Sequence, residues 1–267
     1  MNRSGSVNNL FENFTKEVNS KRKTNLFDIG PGNGKATEKF VEILHRNNNL
    51  EQYIAVDISS SMSLMATKNL QNFDNNIVTN HYVLDIEASK LDEVLIKNKL
   101  SSRDAYNLIL MIGNTICNID DRIQVLKNIR SGMTSDDLFV VSIGLNSFDN
   151  KKELSYVNDD IVYRLQTQTL RLLGVDIEMC DYETKYNDLY SEKNKSIILD
   201  KDYEIHYELY GVKQFIRLMS GKSIKVWKHS LLDIKKFIEE LEYSSFKLKS
   251  IKIDSNYTTA LCVCSIK

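Results

Sequence analysis

The residues with the clearest chemical potential begin at Asp28-Ile29-Gly30-Pro31-Gly32-Asn33-Gly34, an acid followed by three glycines at alternate positions. The segment closes a short apolar run, Asn25 to Ile29, and precedes a stretch with helical spacing. A strand running into such a turn lets its backbone approach a ligand closely, because glycine lacks a Cβ and tolerates positive φ. The helix start that follows would offer free N–H groups to a carboxylate or another anion. Two more acids stand at comparable places. Asp57 closes Tyr53-Ile54-Ala55-Val56-Asp57, about 23 residues after Gly34, and Asp85 sits in Leu84-Asp85-Ile86 after a third apolar run.

Three kinds of cofactor loop share this geometry, and spacing separates them. A dinucleotide fingerprint, Gly-x-Gly-x-x-Gly, counted from Gly30 puts Lys35 where the third glycine belongs. A phosphate loop ending at Gly34-Lys35 would need glycine at Ile29 and Ser or Thr at Ala36. Acidic-x-Gly-x-Gly-x-Gly fits at every position, and it is the pattern of S-adenosylmethionine enzymes. In that reading Asp28 suits the donor's ammonium, and Gly30, Gly32, Gly34 and Lys35 form its cradle. Asp57, with Ile58 beside it, would accept hydrogen bonds from both ribose hydroxyls. An alternative places Asp57 in the N-cap region of the next helix. Asp85 would accept from the adenine amino group while Ile86 packs on the ring. Three acids at successive strand ends lie where open α/β sheets bind ligands.

Such a site needs strands that all end on one edge. Helical spacing of Ala36, Phe40, Val41 and Leu44 predicts a helix over Lys35 to Arg46, with further helices at Ser61 to Leu70, Leu91 to Leu100 and Asp121 to Ser131. Strands are predicted at Tyr53 to Ile58, Ile77 to Leu84, Tyr106 to Ile112 and Leu138 to Leu145. The alternation implies parallel pairing, because helices supply the crossovers. From Asn146 to Trp227 the rhythm breaks, and the segment holds eight of the 13 tyrosines. It resumes with a helix over Ser230 to Tyr243 and two strands, Lys247 to Ile253 and Tyr257 to Ile266, joined by a short turn and therefore antiparallel. The predicted fold class is α/β, a three-layer Rossmann-like seven-strand sheet with an antiparallel C-terminal hairpin and an inserted α+β substrate lobe after strand five. Residues 1–145 would form the donor-binding core, 146–227 the lobe, and 228–267 the completion of the core.

The composition is that of an ordinary globular protein, 42% hydrophobic and 27% charged. A formal net charge of −1 argues against a nucleic-acid substrate or an anionic membrane as partner. No apolar run has the length of a membrane span, and Met1 to Phe14 has no apolar secretory core, so a cytoplasmic location is the default expectation. Cys117, Cys180, Cys262 and Cys264 read as reduced thiols, the last two on one strand face. With His45, His81, His206 and His229 dispersed, no metal site is expected.

The strand-four region reads Leu108-Ile109-Leu110-Met111-Ile112-Gly113-Asn114-Thr115-Ile116-Cys117-Asn118, then Arg122, Leu126, Arg130 and Gly132, and strand five ends in Ile143-Gly144-Leu145. This resembles the histidine-specific methyltransferase family of ergothioneine synthesis, whose members trimethylate the histidine α-amine. The resemblance extends from Asn25 to Leu145, and more loosely through Lys151 to Met179 and the C-terminal hairpin. It adds Gly113 and Asn114 to the donor site and accounts for a lobe after strand five. The family's Asn-x-Asn pair, which holds the amino acid's amine and carboxylate, falls at Gln166 and Gln168. Its imidazole-reading Glu and Ser fall at Trp227 and His229. An indole cannot accept an imidazole N–H, so an acceptor other than histidine is expected.

Methyl transfer is an in-line displacement that needs an aligned, desolvated nucleophile. An amine nucleophile must be neutral, and a Tyr, His or carboxylate can take its proton. Tyr156, Tyr163, His206 and Tyr207 are the catalytic candidates, with Tyr210, Gln166, Gln168 and Trp227 as acceptor contacts. Lobe aromatics would stabilise the developing ammonium by about 0.5–2 kcal/mol each. The expected function is N-methylation of an amino acid or small amine. Alternatives are a small-molecule O-methyltransferase, a protein or RNA modifier, and a non-catalytic cofactor sensor. Adenine-N6 modifiers of nucleic acid carry an Asn/Asp-Pro-Pro-aromatic run, whereas the single proline here is Pro31.

Overall fold

β1 (Thr24–Ile29), β4 (Tyr106–Met111), most of β2 (Leu50–Asp57) and most of β5 (Leu138–Gly144) are buried at every position, and a strand of that kind needs cover on both faces. The computed structural model, which describes residues 22–101, 104–113, 115–147, 160–187, 191–209 and 211–267, provides it. With β3 (Thr79–Val83), β11 (Phe246–Ile253) and β12 (Thr259–Ile266), these strands form a seven-stranded sheet of order β11-β12-β5-β4-β1-β2-β3. β1 to β5 pair in parallel, while β12 is antiparallel to both β5 and β11.

The two-residue alternation of a strand sorts the core into two halves. Phe27, Ile54, Ile109, Phe139, Cys262 and Cys264 pack on one side with Leu95 of α3 (Asp92–Ser101), Leu126 of α4 (Arg122–Arg130) and Phe237 of α6 (Ile234–Tyr243). Leu26, Tyr53, Leu108, Val140 and Val263 pack on the other with Phe40 of α1 (Glu38–Arg46) and Leu70 of α2 (Ser60–Phe73). This is the three-layer α/β arrangement. Cys262 and Cys264 do share a face, and burial pushes their thiols up, Cys262 to about 12.

Several element boundaries differ from the sequence-based expectation for local reasons. The first helix begins at Glu38, not Lys35, because Gly34 N–H donates to Pro31 O (2.9 Å) and Thr37 N–H to Gly34 O (3.3 Å), which spends those residues on turns. The last helix begins at Ile234, not Ser230, where the Asp233 carboxylate caps the amides of Lys235 (2.9 Å) and Lys236 (3.0 Å). The third strand loses Ile77 and Val78, since Ile77 N–H turns back to Asp74 O (3.2 Å).

The chain divides into two compact units, one ending at Ser147 and resuming at Leu232, the other spanning 148–231. The described part of the second unit opens with helix α5 (Asp160–Leu172). β6 (Asp181–Asn187), β7 (Glu192–Ile198) and β10 (Ser223–Ser230) follow as an antiparallel sheet of order β10-β7-β6. β8 (Tyr203–Leu209) and β9 (Val212–Leu218) pair as a separate hairpin. Among the described residues, no helix is long and apolar enough to cross a membrane.

A polar chain, buried at Gln52, Asn25, Asn107 and Asp137, links the amino ends of the strands. Asn80 Nδ2 donates to Gln52 Oε1 (2.8 Å), Gln52 Nε2 to Asn25 Oδ1 (3.0 Å), and Asn25 Nδ2 to Asn107 Oδ1 (3.2 Å). Asp137 terminates it by accepting the amides of Asn107 (2.9 Å) and Thr134 (2.8 Å). Replacing that carboxylate leaves buried donors without an acceptor. Asp137→Ala is therefore expected to lower the unfolding free energy by roughly 3 kcal/mol in urea titrations with an unchanged m-value. A loss under about 0.5 kcal/mol would contradict the role given to this chain of bonds.

Candidate functional site

The chain proceeds from β1 to β2 and β3 on one side, then crosses to β4 on the other, and a crevice opens at such a switch point beyond the carboxyl ends. A cavity of about 220 Å³ lies there. Ile29 and Gly30 contribute from the end of β1, and Val56, Asp57 and Ile58 from the end of β2. Leu84, Asp85, Ile86 and Glu87 follow β3, and Thr115, Asn118 and Ile119 follow β4. The walls are thus mostly aliphatic, with carboxylates set at the strand ends.

Each carboxylate is held by its own chain. Asp57 Oδ1 accepts the amide of Ser59 (2.8 Å), and Ser59 itself is the N-cap of α2. Asp57 therefore organises the helix entry and still lines the cavity. Asp85 Oδ1 accepts Glu87 N–H (3.0 Å), folding the segment so that Glu87 also faces the cavity. Asn128 Nδ2 on α4 supports this loop from behind by donating to Ile86 O (2.8 Å).

The glycine turn is tightly constrained. Gly30 has φ +64 and donates its amide to Val56 O (2.9 Å), and a Cβ there would lie 2.7 Å from Thr115 Cγ2. Gly34 has φ +76, and a Cβ would meet the Ala66 backbone at 3.3 Å. Gly113, at φ +86, donates to Ser142 Oγ (3.0 Å). Gly30 lines the cavity, whereas Asp28, Gly32, Gly34, Lys35 and Gly113 are not part of its wall. Lys35 is exposed, with its amide on Asn33 Oδ1 (3.1 Å). Asn114 lies outside the described residues.

Asp28 departs most from the sequence-based picture. It is 1% exposed, and its Oδ2 accepts both the Thr37 hydroxyl (2.6 Å) and the Tyr53 hydroxyl (2.7 Å). Burial pushes its carboxyl up to about 6, against the pull of the Thr37 and Tyr53 bonds, and the negative Asp57 adds to the rise. Tyr53 is raised well above its ordinary value by burial and by the charge of Asp28.

In the second unit, Tyr163 of α5 meets Tyr182 of β6 edge-on, with ring centroids 4.6 Å apart. Tyr182 donates its hydroxyl to Gln166 Oε1 (3.2 Å), and Gln166 Nε2 is buried with no hydrogen-bond partner among the described residues. Trp227 stacks on His229 at 5.8 Å, and Lys195 Nζ lies 5.6 Å from both the Tyr182 and the Trp227 rings. Tyr163, Gln166 and Trp227 thus share one cluster with two residues the sequence did not single out, Tyr182 and Lys195. Gln168 is exposed, because residues two apart on a helix point in different directions. His206 and Tyr207 sit on the β8–β9 hairpin instead, His206 beside Glu204 (2.9 Å) and Tyr207 donating to Gln214 Oε1 (2.8 Å). Tyr156 and Tyr210 lie outside the described residues. Among the described residues, no group of three or more His, Cys, Asp or Glu is arranged to hold a metal ion.

The profile of the family described as histidine-specific, S-adenosylmethionine-dependent methyltransferases matches residues 8–266. The chain belongs to that family. It is an S-adenosylmethionine-dependent methyltransferase, and the donor is its cofactor. A search of curated proteins finds no match. Among solved structures, an S-adenosylmethionine-dependent methyltransferase from Clostridium acetobutylicum is similar, with a TM-score of 0.53 at 12% identity over 98% of this chain and 91% of that one. The glycopeptide N-methyltransferase MtfA has a TM-score of 0.51 at 12% identity, covering 98% and 90%. Magnesium protoporphyrin IX methyltransferase from Synechocystis has 0.50 at 9% identity, covering 99% and 83%. At these identities the likeness concerns the fold.

The cavity suits an adenosyl group on chemical grounds, offering aliphatic walls for a flat ring, carboxylates for hydroxyl and amino donors, and a glycine backbone that a Cβ would block. The Asp28 carboxyl has a consequence for stability. Its folded value, about 6, exceeds the ordinary 3.8, so the folded state holds the proton more tightly. Its stabilising contribution is complete below pH 3.8 and is lost as pH rises through 6, a span of roughly 3 kcal/mol. Asp28→Asn should accordingly melt higher than the parent chain at pH 8 without ligand, with the gap roughly halved at pH 5 and closing only as pH falls below 3.8. Equal melting temperatures at pH 8 would exclude a buried charge at this position.

Proposed function

We propose that this methyltransferase N-methylates an amino acid or small amine by direct in-line transfer. The observation that carries the reading is the extent of the family match, residues 8–266, which runs through the second unit as well as the donor core. The fold's similarity to MtfA, a glycopeptide N-methyltransferase, supports nitrogen as the acceptor atom.

On this reading the glycine turn, Gly30 to Gly34 with Lys35, holds the amino-acid part of the donor through its backbone, and Gly113 adds a close approach from the end of β4. Asp57 takes the ribose hydroxyls with the oxygen that Ser59 leaves available. Asp85 takes the adenine amino group, with Ile58 and Ile86 on the flanks of the ring. The bound donor supplies an electrophilic methyl group on a sulfonium. The protein's remaining tasks are to orient a neutral amine, keep water away and receive its proton. Tyr163, Gln166 and Trp227 are the acceptor-side residues, grouped around Tyr182 and Lys195. His206 and Tyr207 have a different surrounding, on a two-stranded hairpin.

Incubating the chain with labelled donor and a panel of amino acids, histidine included, and small primary amines should give product labelled on nitrogen. Mass spectrometry with fragmentation would locate the methyl group, and transfer to oxygen would overturn the reading. In the same assay Asp57→Ala should raise the donor's Kd roughly 30-fold, about 2 kcal/mol, as expected for lost charge-assisted hydrogen bonds.

A further inference from the structure

Asp28 opens the motif that points to the donor site, yet its side chain is 1% exposed and is not among the residues that line the cavity. Both of its short bonds go to residues of the scaffold. Tyr53 reaches it from β2, the strand that ends in Asp57, and Thr37 reaches it from the turn that follows the glycines. We propose that Asp28 is a positioning residue of the donor turn, acting through Thr37 and Tyr53, and is not a ligand of the donor's ammonium group. The proposal rests on the donor site assigned above.

Thr37 is the point of transmission. Its hydroxyl carries one proton and has two acceptors in reach, Asp28 Oδ2 at 2.6 Å and the carbonyl of Gly34 at 3.1 Å. When Asp28 is ionised, the Thr37 proton points to the carboxylate in a short charge-assisted bond, and the Tyr53 proton does the same. When Asp28 takes a proton from solvent, the carboxyl can donate to Thr37 Oγ, and the Thr37 proton is released towards Gly34 O. The charge on one buried oxygen thus decides what is bonded to a carbonyl of the glycine turn. Gly34 has little room to absorb a change, since even a Cβ there would touch the Ala66 backbone at 3.3 Å.

The surroundings restrict what else could titrate Asp28. On β2 the ionisable groups facing it are Tyr53 and, by its charge, Asp57. On β4 its partner is Leu110, and from the turn before α1 only Thr37 touches it. No cation contributes to its environment among the described residues. The group that titrates near pH 6 is therefore Asp28 itself, and its ionised form is the one that draws the Thr37 and Tyr53 hydroxyls onto one oxygen and so ties Thr37 to β1 and β2.

Calorimetry with S-adenosylhomocysteine from pH 5 to 8.5 tests this, using the full chain and checking each variant's fold by circular dichroism. The parent chain should bind roughly tenfold more weakly at pH 5 than at pH 8, with a midpoint near 6. Asp28→Asn should show the weaker affinity at every pH. Tyr53→Phe and Thr37→Val should each move the midpoint upward, because each removes a bond that favours the ionised carboxylate, and Thr37→Ser should restore it. A second ligand, the analogue lacking only the amino group, separates positioning from direct contact. Asp28→Asn should weaken both ligands by the same factor. A loss confined to the amino-bearing ligand, or a midpoint indifferent to Tyr53→Phe and Thr37→Val, would overturn the proposal. If Asp28→Asn does not fold, the Tyr53 and Thr37 variants decide the matter alone. No binding by the parent chain at any pH would instead remove the donor-site reading, and the proposal with it.

Discussion

The central strands of the first unit are covered on both faces by helices, so the sheet meets ligands only at its ends. That constraint determines where chemistry can happen. Burying β1, β2 and β4 on two sides removes their side chains from water, and the loops that leave their carboxyl ends become the available surface for a polar ligand. Glycine is needed in the first of these loops because Thr115 and Ala66 already occupy the space a Cβ would take at Gly30 and Gly34. Core packing and the path of the glycine turn are in this sense one requirement.

Covering both faces also leaves the polar side chains of these strands dependent on partners inside. At the amino ends this produces a chain of side-chain amides, Asn80, Gln52, Asn25 and Asn107, ending on the Asp137 carboxylate. At the carboxyl ends it produces the bonds from Thr37 and Tyr53 to Asp28. The two arrangements differ in charge logic. Asp137 accepts the backbone amides of Asn107 on β4 and of Thr134 in the turn before β5, whereas Asp28, among the described residues, has hydroxyl donors and sits beside the negative Asp57. A carboxyl in the second situation keeps its proton to higher pH, and the fold tolerates this close to the cavity.

Much of this was legible in the residues. Continuous apolar runs marked the buried strands, and the alternation with helical spacing implied their parallel order. Asp57, Asp85, Ile58 and Ile86 stood where strand ends must lie, and all four line the cavity. What stayed hidden depended on contacts between distant segments. Nothing local to Asp28 reveals that Tyr53, 25 residues away, claims its carboxylate. Thr115 and Glu87 reach the cavity through loop closure, and an isolated sequence offers little to signal it. Helix starts slipped by three or four residues because turn bonds at Gly34 and a cap at Asp233 overrode periodicity.

The second unit shows how the same residue type can carry a different meaning once its neighbours are known. A lobe rich in tyrosine suggests rings kept available for a substrate ammonium. Two of the rings in the cluster, Tyr182 and Trp227, already face the ammonium of Lys195, which is 1% exposed. A cation–π attraction used internally is not open to a second cation on the same ring face, since two like charges there would repel. Tyr163 adds a T-shaped contact with Tyr182 to the same arrangement. The aromatic richness of this lobe is thus spent in part on its own packing around a buried lysine.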